Sequence, residues 1–272
     1  MATDKVSPKQ QTLYINNPFV IAVEGMKLLF QKAPTLAIIL AILSAFGASN
    51  VFSNQTEVAD NTAPIVATPD LDPVVVAGTI IIIAVMLFGI LIFGSIIAGI
   101  FAFTSAEIAK GRTVSFRQAA KAIVDRLWSF VWLQLLTIAK IFAWSLLLII
   151  PGIVMAIRYS LANISFFDSD KKLTGNAAIK DSLALTKDAW VTTFGAQVFF
   201  NIITLGLISP LLDTASKAVL YRQFTALQRS GEAKPKPHAL SWVVFGLFIA
   251  VIFAGLAGLT YGIIYDILPR MQ

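Results

Sequence analysis

VVVAGTIIIIAVMLFGILIFGSIIAGIFAFTSA, residues 74–106, contains no charged side chain. About 20 apolar residues are enough to cross the hydrocarbon core of a bilayer. This stretch is longer than that, and it identifies an integral membrane protein. The rest of the chain agrees. Of 272 residues, 57% are hydrophobic and 13% are charged, against about 25% charged in a soluble domain. A soluble fold of this size could not cover so much apolar surface.

The net charge of +6 would suggest nucleic acid in a soluble protein. Here the excess of Lys and Arg in cytoplasmic loops explains it, and no nucleic-acid partner is expected. There are no cysteines and one histidine, His238. Disulfides, thiolate chemistry and multi-histidine metal sites are therefore excluded, and no cofactor is expected. The first apolar run follows more than 30 residues that include Lys5, Lys9, Lys27 and Lys32. That is too long for a signal peptide, so no cleaved segment is expected.

Uncharged runs predict spans at 35–51, 74–104, 127–150, 153–167, 191–208, 211–227 and 239–261. Pro151 and Gly152 are expected to break the third from the fourth, and Pro210 to turn the fifth into the sixth. The loop at 50–73 carries Glu57, Asp60, Asp70 and Asp72 and no basic residue, whereas 105–126, 168–188 and 229–238 are basic or mixed. The charge rule places the N-terminus in the cytoplasm and the acidic loop outside.

The spans repeat. FRQAAKAIVDRLW (116–128) and AIKDSLALTKDAW (178–190) align without gaps at an offset of 62 residues, and PFVIAVEGMKLLF (18–30) stands in the same place before the first span. Each has an apolar and a charged face at helical spacing. Such helices suit the headgroup boundary, with Phe30, Trp128 and Trp190 as anchors. The expected fold is all-α and polytopic. Six core spans form three hairpins, each preceded by an interfacial helix, and a seventh span follows. The divisions are a tail at 1–16, a membrane domain at 17–230, a basic linker at 231–238 and a C-terminal span with tail at 239–272. The membrane domain holds units at about 17–109, 114–171 and 176–230.

The stretch IIPGIVMAIRYSLANISFFDSDKKLTGNAAIKDSLALTKDAW (149–190) carries Pro151, Gly152, Tyr159, Asp168, Ser182, Leu183, Lys187 and Trp190. With LYRQFTAL (220–227), it resembles bacterial multi-pass membrane proteins related to the membrane domain of glycerophosphoryl diester phosphodiesterases. The resemblance implies a bacterial inner-membrane protein with that helical domain. It does not bring the phosphodiesterase activity, which belongs to a separate soluble barrel for which this chain has no room.

Lys140, Arg158, Asp213 and Lys217 fall within predicted spans. A charge near the bilayer centre costs at least roughly 2.5–3.5 kcal/mol on insertion scales. Asp213 and Lys217, four residues apart, can pair on one helix. With Tyr159 and Asn163 they make a candidate intramembrane polar site for an anion. The alternative is snorkelling of the long cations to headgroups. Two functions follow as expectations. One is a non-enzymatic scaffold or accessory protein whose partners are membrane lipids or a membrane protein complex. The other is a transporter or channel for an anionic or lipid-like solute. Three units that all start on the cytoplasmic side do not fit the inverted repeat of secondary carriers, which favours the first.

Overall fold

A computed structural model describes residues 14–42, 73–204 and 209–262. Residues 1–13, 43–72, 205–208 and 263–272, among them most of the acidic stretch, lie outside the described residues. Within them every element is a helix. In chain order these are α1 (Pro18–Lys32), α2 (Pro34–Ile42), α3 (Pro73–Ala109), α4 (Phe116–Val124), α5 (Leu127–Leu147), α6 (Ile149–Tyr159), α7 (Ala162–Phe167), α8 (Gly175–Thr186), α9 (Trp190–Ile203), α10 (Ser209–Ser230) and α11 (Ala239–Gly262).

Among the described residues four helices are long and apolar enough to cross a membrane: Pro73–Ala109, Leu127–Leu147, Ile149–Phe167 and Ala239–Gly258. A fifth is added if α1 and α2, bent by 117°, form one span. α9 has 14 residues, about 21 Å at 1.5 Å per residue. α10 has 22 residues but carries Asp213, Lys217, Arg222 and Arg229. The chain is thus an all-helical membrane protein with several apolar helices.

The short helices are built by local signals. Asn17 caps α1 through its side chain, and Pro18 follows in the first turn, where a missing N–H costs nothing. Ser115 and Gln118 form a reciprocal capping box on α4. Each short helix then packs on a helix that closes the preceding hairpin: α4 on α3 and α8 on α7. α1 packs on α10, so the order of contacts closes on itself. That closure is tight, because a Cβ on Gly25 of α1 would lie 2.5 Å from the Ala215 carbonyl oxygen of α10. α10 is the centre. Leu211, Ala215, Ala218, Val219, Leu220, Tyr221 and Phe224 are all buried, against α1, α3 and α9.

The ends of several elements differ from the sequence expectation. The third and fourth predicted spans part at Leu148, which is extended at φ −162°, and Pro151 and Gly152 lie inside the first turns of α6. Proline is tolerated there because the first N–H groups of a helix have no intrahelical acceptor. Gly152 permits the tight hairpin, since a Cβ there would sit 2.3 Å from the Ser145 hydroxyl oxygen. Pro210 likewise lies in the first turn of α10. Trp128 and Trp190 do not end the short helices. Each sits at the start of the next helix, after breaks at Asp125–Arg126 and at Lys187–Ala189, where Asp188 takes φ +61°. Finally, α3 runs unbroken to Ala109, roughly 55 Å in length. Its residues are exposed from 73 to 90 except at Gly78, and its buried positions start at Ser95.

Closure of α1 on α10 makes Gly25 sensitive to size. Gly25→Val is expected to destabilise the detergent-solubilised protein by about 1–3 kcal/mol, read as a fall in Tm. Gly89→Val, on α3 where nothing lies within 4 Å, leaves Tm unchanged or slightly raised.

Candidate functional site

The six residues of the expected intramembrane site do not form one cluster. Asn163, Asp213 and Lys217 share a cavity of about 130 Å³ with Ser105, Ser160 and Thr214. Lys217 Nζ lies 2.6 Å from Asp213 Oδ2, the pairing the i,i+4 spacing predicts. Ser105 donates to the Thr214 carbonyl at 2.9 Å, and Gln197 donates to Ser160 at 2.9 Å. Tyr159 is buried in the apolar core. Lys140 reaches outward to the side chain of Asn176 at the start of α8. Arg158 lines a different groove, beside Lys187, Trp190 and Trp242. The reason is rotation about the helix axis: residues at one depth on different helices share a site only if they face each other. Of the anchors, Trp128 is 66% and Phe30 45% exposed, while Trp190 is half-buried against Trp242 and Phe245.

The densest polar cluster is elsewhere, where α3, α7 and α10 converge. Asp168 caps the end of α7 and is 1% exposed. Lys110 Nζ lies 2.5 Å from its Oδ1, Tyr221 donates to its Oδ2 at 2.5 Å, and the Asp170 N–H donates at 3.0 Å. Burial alone would raise this carboxyl. Lys110, Tyr221 and the Asp170 amide more than offset that and hold it below the ordinary carboxylate value. Around it Lys110 and Arg112 also pair with Glu107 and Asp170. A cavity of about 390 Å³ lies over the cluster and is also lined by Arg222, Thr225 and Arg229. Arg126 makes a second fastening. Its guanidinium donates to the Phe166 and Leu173 carbonyls, both at 2.8 Å, and stacks on the Phe166 ring.

The cluster ties α3, α7 and α10 together. Both Asp168 oxygens are engaged by strong donors, which leaves a weak base. Among the described residues no group of His, Asp and Glu could hold a metal ion. Sequence reading named Asp168 and Tyr221 within motifs but did not connect them. The signal was there in part, as Lys110 and Asp168 each follow the end of a returning helix, whereas Tyr221 lies in the middle of α10. No protein-family profile, curated protein or solved structure matches the chain.

Because the Asp168 carboxyl titrates below its ordinary value of 3.8, its contribution to stability is complete above that value. It is lost as the pH falls through the lowered one. Tm should hold level on acidification to about pH 4 and fall below it. Asp168→Asn should lower Tm at neutral pH and remove that part of the acid limb. Tyr221→Phe, which removes one hydrogen bond to a charged group, should cost about 1.5–3 kcal/mol.

Proposed function

We propose that this chain is a non-enzymatic scaffold or accessory protein of the bacterial inner (plasma) membrane, with its N-terminus in the cytoplasm. It interacts with lipids or with a partner membrane complex. One observation carries the reading: its intramembrane cations are separated and individually bonded. Lys217 pairs with Asp213, Lys140 bonds Asn176, and Arg158 contacts the Leu183 carbonyl at the edge of the bundle. A carrier of anions needs such cations to face one water-filled path, and the cavity at Asp213 and Lys217 is only about 130 Å³. The saturated carboxylate at Asp168 supports the non-enzymatic part. The exposed apolar flanks of α3 and α11 supply the surface for lipid or partner.

The spans follow the six-plus-one scheme in direction, with one amendment. Leu146, Leu147, Leu148, Ile149 and Ile150, at the tip of the α5–α6 hairpin, are all exposed and apolar. A tip in water would carry polar turn residues. This hairpin therefore turns within the hydrocarbon and returns to the side it came from, which leaves the sidedness of the later segments unchanged.

Two measurements test the reading. In proteoliposomes, flux of inorganic phosphate and of glycerol 3-phosphate should equal that of empty vesicles. Flux above that level, abolished by Arg158→Ala, would establish the transporter instead. A cysteine placed at Leu148, in a chain with none of its own, should resist a water-soluble maleimide added from either side. Rapid labelling from outside would put the tip in water.

A further inference from the structure

The groove that holds Arg158 lies where α6, the α8–α9 corner, the linker and the start of α11 meet. It measures about 580 Å³ and is lined by Arg158, Lys187, Asp188, Trp190, Pro237 and Trp242, with Val191 at its floor. Two cations face one carboxylate. Lys234 sits at the same corner, where its ammonium donates to the carbonyls of Ala184 at 3.1 Å and Lys187 at 2.6 Å. It thereby ties the linker to the end of α8.

Arg158 is underused. Its Nε is buried and has no hydrogen-bond partner, and Nη2 has only a 3.4 Å contact with the Leu183 carbonyl. A buried guanidinium N–H without an acceptor is costly, and the planar fork of Arg is made for two oxygens of a phosphate. Its backbone carbonyl, by contrast, is fully used, accepting from Ser182 at 2.7 Å and Thr186 at 3.2 Å. The residue is thus fixed in place by its main chain, while its side chain has one long contact and an Nε without an acceptor.

The walls say which phosphate. Trp190 and Trp242 stand edge to face, 6.1 Å apart, and tryptophan pairs of this kind settle at the headgroup level of a bilayer. Trp242 is 50% exposed, and the exposed apolar surface continues along α11 through Val243 and Leu247. A ligand with its phosphate on Arg158 and Lys187 would lay its chains along that face.

We propose that this groove is a binding site for the phosphate of an anionic membrane lipid, with Arg158 and Lys187 as its charge-bearing contacts. The site deepens the scaffold reading and rests on the lipid embedding that reading assumes. The two fail separately, because solute flux would overturn the scaffold without altering lipid affinity.

The test is titration of the detergent-solubilised full chain with dioctanoyl phosphatidylglycerol, followed by microscale thermophoresis. Dioctanoyl phosphatidylcholine and glycerol 3-phosphate serve as separate probes. Arg158→Gln and Lys187→Gln should each weaken phosphatidylglycerol binding roughly tenfold, and Arg158→Lys should recover part of it. Tm without lipid should stay within a degree or so of the parent for Lys187→Gln, whose side chain is exposed. Arg229→Gln, outside the groove, should bind as the parent does. Equal affinity in the parent and in Lys187→Gln and Arg158→Gln would overturn the site. Equal affinity for phosphatidylcholine would overturn its anion preference. Glycerol 3-phosphate binding as tightly as the lipid would overturn the lipid assignment in favour of a soluble anion.

Discussion

A helix that carries Asp213, Lys217 and Arg222 can stand among apolar spans only if protein surrounds it. Hydrocarbon offers no partner for a charge or for a polar side chain. α10 meets that constraint by being the centre of the molecule. Its charges are paired or turned toward polar clefts, and its remaining surface is small or apolar and buried. The other helices are arranged to make this so. α1 closes over it at Gly25, α3 bonds to it through Ser105, and α9 packs along its flank. The low hydropathy of α10, which excludes it as a lipid-facing span, is thus a consequence of its central place.

Three polar fastenings stand at the corners between short and long helices. Asp168 joins the ends of α3 and α7 to the middle of α10 in one ion and hydrogen-bond cluster. Arg126 does the same for the α4–α5 corner against the α7–α8 turn. Lys234 closes the α8–α9 corner. Each uses long or charged side chains to satisfy backbone carbonyls and carboxylates where regular helices stop. Arg158 is the exception. It sits at such a corner with a fixed backbone, a single long side-chain contact to the Leu183 carbonyl and an Nε without a partner, and that is why it points to a ligand.

The apolar runs were legible in the sequence because hydropathy depends on composition alone. So were the short helices at 18–30 and near 116 and 178, since their periodicity is local. The Asp213–Lys217 pair was legible because i,i+4 contacts lie within one helix. What could not be read was which helices face one another. Lys140, Arg158 and Lys217 all fall within predicted spans, yet the fold sends them to three different surfaces. The Asp168 cluster was missed for the same reason, since Lys110, Asp168 and Tyr221 meet only through tertiary packing. The break at Leu148 rather than Pro151 was also beyond local rules. Proline marks where a helix cannot continue, and equally where one can begin.

The account stands on α10 being enclosed by protein. The most direct measurement is nitroxide scanning of single cysteines along residues 211–227 in proteoliposomes, with accessibility to oxygen read against a water-soluble nickel chelate. Low oxygen accessibility at Ala215, Ala218, Val219 and Leu220, beside high values all round α3 from 75 to 90, is the predicted result. A periodic oxygen-accessible face reaching those α10 positions would place the helix against lipid and contradict the account.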